Sequence, residues 1–139
     1  MLLAAILMLT INPLENSQID NLKDLKWKKR VLVVNTSDRT DTKKLTDVYN
    51  EELKDRDFVV IQLDGQDTYL GDKRMSRRFT KSLLKKIKNH HERDYFILLG
   101  KDGGVKNSFT KETGMKTIFN EVDRMPMRMN EMRKRIDRD

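Results

Sequence analysis

The chain has 139 residues, of which 37% are charged and 37% hydrophobic, and its formal net charge is +7. This length predicts one domain with a single modest core, and the positive charge favours anionic partners such as nucleic acid, acidic polysaccharide or lipid headgroups. The sequence contains no cysteine, which excludes disulfides, thiolate nucleophiles and thiol-based redox cycling. Because histidine occurs only twice, the sequence also has no His/Cys cluster with zinc spacing.

The N-terminal run Met1–Ile11 is apolar except for Thr10. A helix that crosses a bilayer needs about 20 apolar residues, so this run is too short to form a transmembrane helix. Its length predicts the apolar core of a signal peptide over residues 1–12. We therefore expect an exported protein, periplasmic or extracellular, whose mature domain comprises residues 13–139. A buried element of the domain is the alternative, and whether the segment is cleaved stays open.

The first half of the domain predicts a βαβ unit. Residues 14–25 are polar with scattered leucines and predict a lead-in with one short helical turn. Val31–Asn35 is an apolar, β-branched run, typical of a strand covered on both faces. Thr42–Asp55 carries apolar residues at helical spacing, and Phe58–Leu63 is the second strand. Two strands bridged by a helix favour a right-handed βαβ connection.

The second half predicts a helix, a β-hairpin and a final helix. Gly65–Gly71 is predicted as a loop, and the residues after it, Lys73–Asn89, carry one apolar stripe typical of an amphipathic helix. The next strand, Asp94–Leu99, ends near Asp102-Gly103-Gly104, residues that favour the positive φ angles of a tight hairpin. A fourth strand, Val105–Ser108, and a helix over Thr110–Val122 follow. The order predicts an α/β fold with a central mixed sheet of about four strands and helices on both faces.

The loop after the first strand is where a catalytic hydroxyl would stand. Asn35–Asp41 contains Thr36, Ser37 and Thr40, but no histidine lies nearby in sequence to activate them. Hydroxyl and acidic residues at a helix start are usually N-caps, so capping is the preferred interpretation, including for Asp38.

Two groups of residues resemble metal ligands only superficially. Asp64, Asp67 and Asp72 lack the spacing of an EF-hand loop, and turn formation explains them more simply. His90 and His91 are adjacent, so on a helix they point about 100° apart and do not chelate one ion easily. No metal ligand is predicted.

The predicted third helix is strongly basic. From Lys73 to Arg93 it carries Glu92 as its one acidic residue. The cations that face solvent form a candidate anion-binding set, which consists of Arg74, Arg77, Arg78, Lys81, Lys85 and Lys88. The alternative is an ordinary solvated face neutralised by acids elsewhere, for example Asp47, Glu51, Glu52 and Asp55.

The C-terminal tail, Met125–Arg135, alternates methionine with arginine. Methionine fills irregular gaps, so docking of this tail onto the domain's own sheet is the first interpretation. A methionine-lined surface for a partner protein is the second. Copper binding through thioethers is a weaker third, because no histidine or cysteine stands nearby.

The sequence resembles a bacterial family of domains of unknown function. The resemblance is carried by Tyr95–Lys106 and Met125–Arg133 and extends from about Asn12 to Arg133. It implies a thioredoxin-like, peroxiredoxin-related fold, related to the C-terminal domain of the animal sushi-repeat-containing proteins and of a coiled-coil-domain matrix protein. It implies no established activity. In thioredoxin-like oxidoreductases the reactive thiol follows the first core strand, where this chain has only hydroxyls.

We therefore expect a basic, cysteine-free, thioredoxin-like domain that is exported and acts as a non-catalytic binding or interaction module. No catalytic residue and no cofactor is predicted. Suitable partners are an acidic polysaccharide, an anionic lipid surface or an envelope protein, whereas nucleic acid is disfavoured. The alternative is a peroxiredoxin-like oxidoreductase, or another enzyme, with a non-cysteine site in the loop after the first strand. The sequence leaves the ligand and the oligomeric state open.

Overall fold

A computed structural model describes residues 19–90 and 94–138. The predicted signal peptide, residues 1–12, lies outside the described residues, as does His91. The strands are β1 Arg30–Asn35, β2 Phe58–Asp64, β3 Asp67–Leu70, β4 Lys73–Arg74, β5 Phe96–Leu99 and β6 Val105–Phe109. They form one mixed sheet in the order β4-β3-β2-β1-β5-β6.

Five α-helices and one 3-10 turn accompany the sheet in the described residues. The 3-10 turn is Leu22–Leu25, and the helices are α1 Arg39–Val48, α2 Asn50–Asp55, α3 Arg77–Lys86, α4 Met115–Asp123 and α5 Pro126–Arg138. Within the described ranges, no helix has the length and apolar character needed to cross a membrane.

The centre of the sheet agrees with the sequence prediction. β1 and β2 pair in parallel, with Val33 opposite Ile61, and the helices between them complete the βαβ unit. β5 runs antiparallel to β1 and forms an antiparallel hairpin with β6. The predicted α/β class and the β5–β6 hairpin are therefore confirmed.

The prediction of a loop over Gly65–Gly71 is wrong, because this region contains β3 and leads into β4. Gly65 and Gly71 have positive φ angles of 61° each and form the turns at the two ends of β3. Between them, Thr68 pairs with Leu63 of β2 and is completely buried. A four-residue strand between two glycine turns has too few residues to show an apolar alternation, so the sequence pattern did not predict it. The sheet consequently has six strands rather than four.

Alternating residues of β1 point into two separate cores. Val31 and Val33 belong to a core covered by α3 and the 3-10 turn. Leu32 and Val34 belong to the opposite core, covered by α2 and α4. Because successive side chains of a strand face opposite sides of the sheet, one uninterrupted apolar run supplies both cores. The predicted helices on both faces are confirmed.

Several helix boundaries differ from the prediction. The helix predicted over Thr42–Asp55 begins earlier, at Arg39, and is interrupted at Tyr49, whose φ of −106° and ψ of 23° depart from helical values. The Tyr49 ring packs against Phe119 with ring centres 5.8 Å apart. The last predicted helix begins at Met115 rather than Thr110. The start of α1 coincides with a local cap, because the Asp38 side chain accepts a hydrogen bond from the Thr40 N–H.

Candidate functional site

Helix α3 carries most of the predicted anion-binding residues and is fixed firmly to the sheet. The Ser76 hydroxyl accepts a hydrogen bond from the Phe79 N–H at 3.1 Å and so caps the first turn. Phe79, Leu83 and Ile87 are completely buried against the sheet. The Leu22 N–H donates to the Ser82 hydroxyl at 2.9 Å, which joins the 3-10 turn to the helix. The opposite side of α3 is therefore held towards solvent.

The helix starts at Arg77 and not at Lys73 as predicted, so Arg74 lies on β4. All six predicted anion-binding residues are exposed, namely Arg74, Arg77, Arg78, Lys81, Lys85 and Lys88. The structure brings four of them together on α3, with Lys88 just beyond its end. Arg74 is separate because its backbone pairs with Tyr69 of β3.

Two of these cations are already bound to carboxylates. Arg74 forms an ion pair of 2.7 Å with Asp67, and Arg78 forms one of 3.0 Å with Asp20. Asp20 also accepts a hydrogen bond from the Ser76 hydroxyl at 2.7 Å. The hydrogen bonds from Ser76 and then Arg78 lower the pKa of Asp20 below its ordinary value. Asp20 therefore stays ionised, and its carboxylate is bound by Ser76 and Arg78 beside the start of α3.

The other four cations have no such partner in the part of the chain that the structure describes. Within residues 19–90 and 94–138, no ion pair joins a carboxylate to Arg77, Lys81, Lys85 or Lys88. With 3.6 residues per turn, Arg77, Lys81 and Lys85 fall within an arc of about 80°. These four residues are called the cationic face below.

The acids that the sequence suggested as neutralising groups do not serve that purpose. Asp47, Glu51, Glu52 and Asp55 lie on α1 and α2, which pack on the other side of the sheet through Leu45, Tyr49 and Leu53. The whole thickness of the sheet separates them from α3. Asp55 is moreover ion-paired with Arg128 and Arg135. The neutralised-face alternative therefore fails for these four acids.

The loop after β1 uses its polar groups locally. The Thr36 hydroxyl accepts the Asp38 N–H at 3.1 Å, and the Asp38 carboxylate accepts the Thr40 N–H at 2.9 Å. Asp38 is the N-cap of α1, which confirms the capping interpretation for this residue. Burial raises the pKa of the nearby Tyr95 phenol, although a hydrogen bond with Thr36 opposes this shift. Tyr95 is therefore a neutral phenol at physiological pH, not a base.

A histidine–aspartate pair lies near this loop. His90 Nδ1 is 3.0 Å from Asp94 Oδ2, and the Asp94 carbonyl accepts a hydrogen bond of 3.3 Å from the Asn35 side chain at the end of β1. The position of this pair beside the end of β1 was not predicted from the sequence, because 59 residues separate Asn35 from Asp94 in the chain. The fold thus places an imidazole near the end of the central strand β1, which Thr36 follows. Its described hydrogen bond goes to Asp94 and not to a hydroxyl.

A network of buried ion pairs was also missed. Arg30 and Arg128 are 1% and 2% exposed. Arg30 binds Glu131 at 3.0 Å, while Arg128 binds Asp123 at 3.1 Å and Asp55 at 2.7 Å. Hydrogen bonds and charge from these carboxylates raise the pKa of Arg128 despite the opposing effect of burial. These contacts fasten α5 to the domain.

The tail thus docks mainly through arginine rather than methionine. Met125 packs against the second core, as the first interpretation expected, but Met127 and Met129 are exposed. No group of three or more histidine, aspartate or glutamate side chains suited to a metal occurs in the described part of the chain.

The cavity beside the start of α3 is small, with a volume of about 40 Å³. It is lined by Gln66, Asp67, Arg74, Met75, Arg77 and Thr80. It has room for ordered water, whereas sites for small organic ligands typically enclose several hundred Å³. This geometry favours contact with an extended partner over enclosure of a small molecule.

A family model described as "Domain of unknown function (DUF4174)" matches residues 21–131. The chain belongs to this family. The DUF4174 match covers both segments on which the sequence resemblance rested, Tyr95–Lys106 and Met125–Arg133, up to residue 131. Neither a curated protein nor a solved structure matches the chain.

Proposed function

We propose that this chain is a non-catalytic binding module whose cationic face binds an anionic partner. The observation that carries the proposal is the exposed, unpaired state of the cationic face within the described residues. Arg77 and Lys81 are four residues apart, as are Lys81 and Lys85, and like charges at that spacing repel by roughly 0.2–0.5 kcal/mol per pair. A bound polyanion offsets this repulsion.

The partner should be extended and negatively charged. From Arg77 to Lys85 the cationic face covers about 12 Å at the helical rise of 1.5 Å per residue, and Lys88 follows just beyond the helix end. An acidic polysaccharide, an anionic lipid surface or an acidic patch of an envelope protein has this reach. Single-stranded nucleic acid fits less well, because Phe79, the aromatic residue of α3, is buried and cannot stack on bases.

The scaffold we propose is a thioredoxin-like domain that lacks the thiol. Support comes from the order β6-β5-β1-β2, with β1 and β2 parallel and β5 antiparallel, and from the absence of cysteine. The same scaffold would underlie the relationship to the sushi-repeat-containing proteins. Export is part of the proposal and is supported by the apolar run Met1–Ile11.

The His90–Asp94 pair favours a second candidate function, an enzyme that uses Thr36, Ser37 or Thr40. The pair places an imidazole near the end of β1, and an imidazole is the type of base that activates a hydroxyl nucleophile. Hydroperoxide and disulfide substrates test the oxidoreductase version, and ester substrates test a hydrolytic one. Turnover above the buffer rate that disappears in His90→Gln would replace our proposal by this one.

The proposal is tested on immobilised heparin, a soluble model polyanion, with salt-gradient elution. The variant R77Q/K81Q/K85Q/K88Q should elute at clearly lower salt than the wild type, because each cation that contacts a polyanion contributes to the salt dependence of binding.

A matched control removes the same charge from the other side of the sheet. K43Q/K44Q/K54Q/K116Q changes four exposed lysines of α1, α2 and α4. None of these lysines forms an ion pair with a described carboxylate. The control should elute between the wild type and the α3 variant. Equal elution of the two variants would show that net charge alone governs retention, and would contradict a dedicated face.

A further inference from the structure

Trp27 has an unusual backbone conformation and an exposed ring. Its φ angle is 68°, in the left-handed region that bulky residues rarely adopt. Its side chain is nevertheless 61% exposed, so burial of the indole does not compensate the backbone strain. Strained residues of this kind concentrate at functional sites.

Backbone hydrogen bonds fix the turn around Trp27 to the rest of the domain. The Trp27 N–H donates to the Lys101 carbonyl at 2.6 Å. The N–H groups of Lys28 and Lys29 both donate to the Leu25 carbonyl, at 3.0 and 2.9 Å. Leu25 is 3% exposed. The turn is therefore fixed to the sheet and presents the indole outward.

Four lysines lie close to Trp27 in the chain. The residues Lys23, Lys26 and Lys28 are exposed and Lys29 is half-buried, and Lys26 Nζ lies 5.5 Å from the centre of the Trp27 ring. None of these lysines has an ion pair with a carboxylate in the part of the chain that the structure describes. We call residues Lys23–Lys29 the Trp27 tip.

Asp24 within the Trp27 tip, and Asp57 and Asp102 outside it, make contacts with other groups. The Asp24 carboxylate accepts the N–H groups of Asp20 and Asn21, both at 3.0 Å. Asp57 binds the Lys101 ammonium at 2.8 Å, and Asp102 binds Lys106 at 2.7 Å. Within the described residues, none of these three acids forms an ion pair with a lysine of the tip.

We propose that the Trp27 tip docks on an anionic phospholipid surface, with the indole in the headgroup layer and the lysines against the lipid charges. Tryptophan favours this interface because its ring is largely apolar and its N–H is polar. Lysine ammonium groups on flexible stems suit laterally mobile headgroups, whereas planar, bidentate recognition would favour arginine.

Other polyanions fit the Trp27 tip less well. A sugar site combines an aromatic platform with polar side chains that read hydroxyl groups, but the Asn21 side chain beside the tip already accepts the Lys23 N–H at 3.1 Å. Binding here is separate from the cationic face and does not require it. Both lie on the same side of the sheet, since the 3-10 turn packs against α3.

The test uses the fluorescence of Trp27, which is the single tryptophan of the chain. The full chain is mixed with vesicles of equal parts phosphatidylcholine and phosphatidylglycerol, then with vesicles of phosphatidylcholine alone. We expect a blue-shifted emission and quenching by brominated lipid chains with the anionic vesicles, both reversed by high salt. The same blue shift with neutral vesicles would overturn the proposal, because it would assign insertion to apolar contacts alone.

Lysine variants keep the fluorophore and test the electrostatic part. K23Q/K26Q/K28Q should weaken partitioning by about fivefold for each lysine, whereas the matched control K43Q/K44Q/K116Q should change it much less. Equal effects of the two variants would contradict a specific tip. Circular dichroism of each variant verifies that the fold is retained.

Two further outcomes separate this proposal from its rivals. The variant R77Q/K81Q/K85Q/K88Q should retain quenching of Trp27 by brominated lipid, and loss of that quenching would transfer membrane contact to the cationic face. If soluble heparin or an oligonucleotide shifts the emission while brominated lipid fails to quench it, the tip binds a soluble polyanion and the lipid proposal is wrong.

Discussion

Arg128 Nη2 donates a hydrogen bond to Asp55 Oδ2 at 2.7 Å, although 73 residues separate the two in the chain. Arg128 Nη1 also donates to the Asp55 carbonyl at 2.9 Å. One side chain of α5 thereby binds both the carboxylate and the backbone at the end of α2. This contact and the other ion pairs of α5 attach the helix to the rest of the domain.

Arg128→Met should destabilise the protein by about 1–3 kcal/mol, because hydrogen bonds to charged groups contribute that much and the change leaves Asp55 and Asp123 with fewer partners. The free energy of unfolding is measured by urea titration. Arg133→Met is the matched control, since Arg133 is exposed on the same helix, and it should change stability by less than about 0.5 kcal/mol. Identical midpoints would contradict the role of Arg128.

Stability should fall as the pH drops below about 4. Burial tends to raise the pKa of Asp123, but hydrogen bonds from Arg56 and Arg128 outweigh this effect and hold the pKa below 3.8. Burial likewise tends to raise the pKa of Asp55, and hydrogen bonds from Arg135 and Arg128 lower it. A carboxyl with a lowered folded pKa stabilises the fold above its unfolded pKa, and this contribution is lost as the pH falls through the folded value.

Asp123→Asn tests that assignment. The variant should be less stable at neutral pH and should lose less stability between neutral pH and about pH 3. The measurement is a series of urea titrations across this range. A wild-type and a variant curve that fall in parallel would show that Asp123 does not contribute to the acid response.

Thr68 and Thr80 should show strong thermodynamic coupling. Their hydroxyl oxygens are 2.8 Å apart and buried, and Thr80 also donates to the Ser76 carbonyl at 3.1 Å. Thr80→Val leaves the Thr68 hydroxyl without this partner and should cost about 1–3 kcal/mol, more than Thr68→Val. The double variant should cost less than the sum of the two. Additive costs in a double-mutant cycle would contradict the coupling.

The two glycines of the β5–β6 turn should respond differently to alanine. Gly103 has a φ of 85°, whereas Gly104 does not have a positive φ, so the sequence expectation that both favour positive φ holds only for Gly103. Gly103→Ala should cost about 1 kcal/mol from backbone strain. Gly104→Ala, whose new Cβ would lie 3.4 Å from Asp102 Oδ1, should cost less. Thermal unfolding of both variants compares them.

Patterns within short segments predicted much of the fold. The apolar run of β1 indicated a strand covered on both sides, and the stripe of Phe79, Leu83 and Ile87 indicated the buried side of α3. By the same periodicity, Arg77, Lys81 and Lys85 were placed on the solvent side. β3 escaped prediction because its four residues between two glycine turns are too few to show an apolar alternation. The interruption at Tyr49 escaped prediction because its partner, Phe119, is distant in the chain.

Periodicity, composition and the lack of cysteine are properties of the linear chain. They suffice for the α/β class, for the exclusion of thiol chemistry and for the basic character of α3. Which charges lack an ion-pair partner among the described residues depends on the tertiary structure. The sheet separates Glu51 and Asp55 from α3, and the chain brings Asp20 to Arg78. Ion pairing falls off within a few ångströms. Only the folded arrangement therefore distinguishes Arg78, which is bound to Asp20, from Lys81, which forms no ion pair with a described carboxylate.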